Sequence, residues 1–157
     1  MFYPIDAIEL QSIDGAEPGA VMLHRINGIT YPILVADINE TRVYMSLGGQ
    51  FPFSIDAMTN TASRWLRSKQ PVVFKVDMDS AYSPQVESER RGDMFISSGE
   101  RGIIGIWHGA IARISLDGVD LPEPDWSEYV GFRRWKVVLP LDDHSELTIF
   151  EWPAQVA

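Results

Sequence analysis

The chain has 157 residues, of which 45% are hydrophobic and 11% aromatic, enough to bury a single-domain core. Its 22 Asp and Glu against 13 Lys and Arg leave a net charge of −9, a field that repels phosphate backbones and anionic lipid and so argues against nucleic acid and membrane surfaces as partners. With no cysteine present, disulfides, thiolate nucleophiles and Cys-ligated zinc or iron–sulfur sites are excluded.

The N-terminus, MFYPIDAIEL, lacks a basic segment followed by an apolar one, and no window approaches the roughly 18 to 20 apolar residues that span a bilayer. A cytoplasmic protein is expected. AVMLHRI, residues 20–26, and ITYPILVA, residues 29–36, flank Asn27-Gly28, a pair that takes the positive φ angles of a type I′ turn and so predicts a hairpin. Asp37 to Glu40 form a second turn signal, and TRVYMSL, residues 41–47, alternates as a third strand of an antiparallel meander. Pro32 donates no hydrogen bond, which predicts an edge or a bulge there, and an open edge would leave a homodimer available by edge pairing.

After Gly48-Gly49, residues Met58, Ala62, Trp65 and Leu66 fall at helical spacing, predicting a helix from about Asp56 to Ser68 with Asp56 as N-cap. PVVFKVD, residues 71–77, reads as a strand buried on both faces. Between Met78 and Arg101 serines and charged residues dominate, with an apolar island at Met94-Phe95-Ile96. A flexible tip at 80–92 followed by a short strand at 93–98 is expected. RGIIGIWHGAIARI, residues 101–114, is the longest apolar run. Read as one extended strand over 103–115 it is central, with a bend or bulge at Gly105 or Gly109. DGVDLPEPDWSEYVG, residues 117–131, reads as a surface loop, and FRRWKVVL (132–139) with ELTIFEW (146–152) as a closing hairpin turned through Asp142, Asp143, His144 and Ser145.

These elements sum to a mainly β fold, an antiparallel barrel or sandwich of about seven to nine strands built from sequential hairpins, with one short α-helix near residues 56–68. Residues 1–157 are expected to form a single domain, since no internal repeat or linker interrupts them.

Candidate chemistry is sparse. Trp107 and His108 could wall a small-ligand or enzymatic pocket, reached by Arg113, Asp77 or Asp79, or His108 could be a satisfied core residue. Asp142-Asp143-His144-Ser145 holds the residue types of a hydrolytic triad, but neighbours in one turn do not adopt that geometry among themselves. No GxSxG, HExxH, P-loop or EF-hand pattern occurs, and no metal or cofactor is expected. Arg133, Arg134 and Lys136 around Trp135 make a small basic patch that resembles a nucleic-acid surface only locally. Tyr82, Trp126 and Tyr129 fall in segments expected at the surface, where aromatics anchor protein partners. The leading expectation is a non-catalytic protein-binding or assembly module that meets its partner through the loops at 78–101 and 117–131. A pocket at Trp107 and His108 that takes a small molecule, and an acidic inhibitor or mimic that binds a basic protein, are the alternatives.

Overall fold

The computed structural model describes residues 1–58 and 64–153. In chain order its strands are β1 (Ile8–Ser12), β2 (Val21–Ile26), β3 (Ile29–Ile38), β4 (Thr41–Ser46), β5 (Ile55–Ala57), β6 (Arg64–Ser68), β7 (Val73–Val76) and β8 (Ala81–Tyr82). There follow β9 (Met94–Ser97), β10 (Glu100–Trp107), β11 (Ala110–Ser115), β12 (Asp120–Leu121), β13 (Tyr129–Phe132), β14 (Trp135–Pro140) and β15 (Glu146–Trp152). Among the described residues they build three antiparallel sheets and no closed barrel: a first of order β1-β6-β2-β3-β4-β5, a second of order β12-β11-β10-β9-β13-β8, and a third of order β15-β14-β7.

Four hairpins turn through pairs of residues that both have positive φ: Asn27-Gly28 (51° and 83°), Asn39-Glu40 (50° and 64°), Ser98-Gly99 (48° and 84°) and His108-Gly109 (49° and 78°). That is the type I′ signature, whose twist matches the strands it joins. The first two hairpins follow the predicted meander. The last one corrects the reading of 103–115 as a single strand: the chain reverses at His108, pairing Trp107 with Ala110 and Ile103 with Ile114.

The predicted helix is also overturned. Residues 55–57 and 64–68 are strands, the stretch 59–63 lies outside the described residues, and among the described residues only short 3-10 turns occur. Tertiary pairing overrides the helical spacing of Trp65 and Leu66. As part of β6, Leu66 lies opposite Leu10 on one side and Leu23 on the other, and such cross-strand contacts outweigh weak local preference.

Pro32 stands inside the first sheet, between β2 and β4, rather than at an edge. It is tolerated because the ladder with β4 begins one residue later, at Ile33 opposite Ser46, and Pro32 there supplies only its carbonyl, to the Leu47 amide at 3.1 Å. The strand expected to be buried on both faces, β7, is an edge strand with Val73 and Lys75 exposed.

Two parallel bridges, Asp37 with Val119 and Ser54 with Ile106, tie the first sheet to the second. The three sheets enclose a shared core in which Leu34, Met45, Phe53, Ile103, Ile114, Phe132, Trp135 and Val137 are buried. Phe53 meets Trp152 edge to face at 4.7 Å. The indole N–H of Trp135 donates to the Gly92 carbonyl at 2.8 Å, so its one polar atom is satisfied inside.

At the rim of the first sheet, Arg67 of β6 donates to Gln11 at 2.7 Å and to Glu17. The Arg67 hydrogen bond, with lesser help from the backbone, holds the Glu17 carboxyl at about 2 against an ordinary 4.5. Because the folded value lies below the unfolded one, this stabilisation is complete above about 4.5 and is lost as pH falls from there through about 2. Glu17 is more than half exposed, so solvent screening limits the effect to roughly 1 kcal/mol or less. Thermal unfolding of Glu17→Gln should therefore match the wild type at low pH and fall slightly below it at neutral pH; a gap that widens on acidification would contradict the assignment.

Candidate binding face

The second sheet has an outer face as well as a core face. Alternation along β9 and β13 sends Met94 and Phe132 into the shared core and Phe95, Tyr129 and Gly131 to the other side. There Gly131 lies opposite Tyr82 of β8 and Phe95 of β9. A methyl group on Gly131 would overlap the Tyr82 ring, so the glycine is what lets that ring lie flat across the sheet.

Tyr82 is only 7% exposed and Asp93 only 2%. The Tyr82 hydroxyl donates to Asp93, which also accepts from the Arg90 amide at 2.8 Å and from Arg133. The Arg133 guanidinium lies 4.0 Å above the Tyr82 ring and donates to Glu87 at 2.9 Å and to the Ser88 carbonyl at 2.8 Å. Burial raises the Asp93 carboxyl above its ordinary value, outweighing the opposite pull of Tyr82, the Arg90 amide and Arg133. Burial, then the bond to Asp93, pushes the Tyr82 hydroxyl up as well, which keeps it a donor.

A second network adjoins the first. Glu89 accepts from the Tyr129 hydroxyl at 3.1 Å and pairs with Arg113, while Arg113 lies 5.1 Å above the Trp126 ring. Tyr129 stacks on Phe95 at 5.5 Å and contacts Trp126 at 5.1 Å. Burial is the main cause that raises the Tyr129 hydroxyl. The Trp126 indole donates to Glu123 at 3.1 Å, and Asp125 caps the turn by accepting from the Ser127 amide at 3.0 Å.

The two long loops thus meet over this face. The Ser98 hydroxyl donates to Glu128 at 2.6 Å, and a cavity of about 330 Å³ opens between Pro84, Gln85, Ser88 and Glu89 of one loop and Trp126 of the other. Within residues 80–92, Tyr82, Glu87, Ser88, Glu89 and Arg90 hydrogen-bond to residues outside that segment. Both central carboxylates, Asp93 and Glu89, are engaged by arginine and tyrosine donors.

Of the residues singled out in the sequence, Tyr82, Tyr129, Trp126 and Arg113 come together here. Tyr82 and Tyr129 are buried supports rather than surface anchors, because their rings fill the outer face and their hydroxyls have carboxylate partners. Trp126 alone of the three is half-exposed. The others stand elsewhere. Asp77 pairs with Arg134 at 2.9 Å and caps the Asp79 amide at 2.9 Å, in an exposed turn after β7. Trp107 and His108 sit at the tip of the β10–β11 hairpin, ring centroids 3.9 Å apart, with His108 exposed. His108 is therefore neither a core residue nor the floor of a pocket at this face.

Asp93, Glu89 and Arg133 were not legible as a group. ESERRGD, residues 87–93, reads as a solvated charge run, and only the alternation of Arg133 with the inward Phe132 hints that one of its charges is answered from the sheet. In the basic patch Trp135 is buried and its indole N–H is taken by Gly92, so no aromatic is free there to stack on a base.

Among the described residues no group of three or more His, Asp or Glu is placed to hold a metal, and no helix is long and apolar enough to cross a membrane. No protein-family model, curated protein or solved structure matches the chain.

Proposed function

We propose that the protein is a non-catalytic binding or assembly module that receives a basic, partly apolar segment of a partner protein on the outer face of the second sheet. The observation that carries this reading is the convergence of both loops on one cavity walled by the half-exposed Trp126. The charge of the rim supports the choice of partner: residues 117–131 contain Asp117, Asp120, Glu123, Asp125 and Glu128 and no lysine or arginine. Such a rim accelerates encounter with a cation-bearing segment, and the rigid aromatic supplies an anchor at little entropic cost.

The paired acids weigh against an acidic mimic. Asp37 with Arg42, Glu146 with Lys75 and Glu89 with Arg113 place them on all three sheets rather than on one face. A pocket at Trp107 and His108 has no comparable support, because Asp77 and Asp79 lie in an exposed turn and Arg113 is engaged with Glu89 and Trp126.

Selection of displayed random peptides on the immobilised protein tests the proposal. Enriched peptides should carry Lys or Arg and bind less tightly as salt rises. Trp126→Ala should weaken them by about 30-fold or more, the loss expected of an anchor, while His108→Ala leaves binding unchanged. Enriched peptides that bind Trp126→Ala as well as wild type would refute the proposal.

A further inference from the structure

We infer that β1 is a self-association edge, and that two copies of this chain join their first sheets through antiparallel pairing of β1 about a two-fold axis at Leu10. Among the described residues β1 is the outermost strand of its sheet and pairs only with β6. The Lys69 amide donates to the Ala7 carbonyl at 2.9 Å, so residues 7, 9 and 11 turn their peptide groups toward β6. By the alternation of an antiparallel ladder, Ile8 and Leu10 turn theirs away from it. Leu10 therefore presents an N–H and a C=O along an open edge.

The side chains point the same way. Leu10 and its cross-strand neighbour Leu66 are 63% and 37% exposed, an uncovered extension of the apolar face that Ile8 and Leu23 bury further along. Phe2 and Ile5, in the segment leading into β1, are also exposed. Antiparallel pairing centred on Leu10 sets Leu10 against Leu10 and Glu9 against Gln11, so within β1 no like charges stand directly opposite one another. Centring on Glu9 would oppose two carboxylates. The strand is thus self-complementary in one register, as a two-fold interface requires.

Other edges are answered within the chain. The segment before β5 is bridged to Ile106, the one before β12 to Asp37, β8 has two residues, and β7 and β15 carry Lys75, Glu146 and Glu151 as charged guards. A second copy is thus the occupant that the charges and the register of β1 fit.

Sedimentation equilibrium of the full chain, from micromolar to hundreds of micromolar, should show a reversible monomer–dimer equilibrium. Leu10→Pro removes the outward N–H and the leucine side chain but none of the N–H groups β1 turns toward β6, a change an edge strand tolerates, and should raise the dissociation constant by about 10-fold or more. A second variant reads geometry directly. Paired Leu10 residues would stand about 5.5 Å apart at Cα, within disulfide reach, so Leu10→Cys should oxidise to a covalent dimer. Val86→Cys, more exposed than Leu10 but in the loop between β8 and β9, should not. A wild type that stays monomeric throughout, even one that takes up an extended strand of another protein, overturns the inference. So does a dimer indifferent to Leu10→Pro in which Leu10→Cys fails to cross-link.

Discussion

Replacing Arg133 by methionine should destabilise the protein by about 3–5 kcal/mol, the cost of leaving one member of a buried ion pair without its partner. Asp93 is 2% exposed, and among the described residues Arg133 is its only cationic side-chain donor, so the methionine fills the space of the arginine stem and leaves the carboxylate without a charged partner. The variant should also lose its stability in a particular direction with pH. Burial already raises the Asp93 carboxyl, and without the guanidinium the folded value rises further above the unfolded one. A group whose folded pKa exceeds its unfolded value costs nothing below the unfolded value and costs progressively more as pH climbs toward the folded one. Urea unfolding should therefore show the variant nearest to wild type in mild acid and furthest from it at neutral pH. Arg133→Met combined with Asp93→Asn should recover part of the loss, because the pair is coupled. A loss below about 1 kcal/mol, a value typical of exposed pairs, would mean that Asp93 is hydrated in solution.

The second large effect is expected at Gly131, a residue with no side chain to lose. Gly131→Ala drives a methyl group into the Tyr82 ring, and the ring cannot yield without withdrawing its hydroxyl from Asp93 and its face from Arg133. Overpacking and an unmet buried acceptor together should amount to roughly 3 kcal/mol. Tyr82→Phe separates the two contributions by keeping the ring and removing the hydroxyl. In a Tyr82→Ala background, where no ring stands over the glycine, Gly131→Ala should become nearly neutral. If Gly131→Ala costs as much there as in the wild type, the glycine serves some feature other than Tyr82.

Local signals and long-range ones were legible in the sequence to different degrees. Asn27-Gly28 announces its hairpin because turn chemistry is contained in the turn itself. His108-Gly109 carries a similar signal and was hidden by its apolar surroundings: Ile and Trp before it and Ala and Ile after it read as one continuous strand. β5, β8 and β12, with two or three residues each, have too short a period to stand out; with β6 reading as helix and β10 and β11 as one strand, the sequence predicts fewer strands than occur. The helical spacing of Trp65 and Leu66 gave way to pairing with residues about 43 and 56 positions away, in β2 and β1, a contact no local pattern reports.

The candidate face divides in the same way. The sequence marked both loops and three of the residues that meet there, Tyr82, Trp126 and Tyr129, since aromatics in polar segments are conspicuous, whereas Arg113 reads in the sequence as reaching toward Trp107 and His108. What it concealed was depth. Tyr82 and Tyr129 lie in stretches rich in charge and serine, yet they are buried because Arg133, Arg113, Asp93 and Glu89 cover them with a paired polar layer. A buried charge network joins residues that are individually ordinary surface types, so burial follows from their geometry and not from their identity.

The most direct test of the binding face is amide chemical-shift mapping of the labelled protein titrated with a basic peptide recovered by selection. The expected result is that shifts concentrate at residues 84–89 and 123–129 and at the Trp126 indole N–H, with the β10–β11 tip at Trp107 and His108 unaffected. Shifts confined to that tip, or to β1, with residues 84–89 and 123–129 silent, would contradict it.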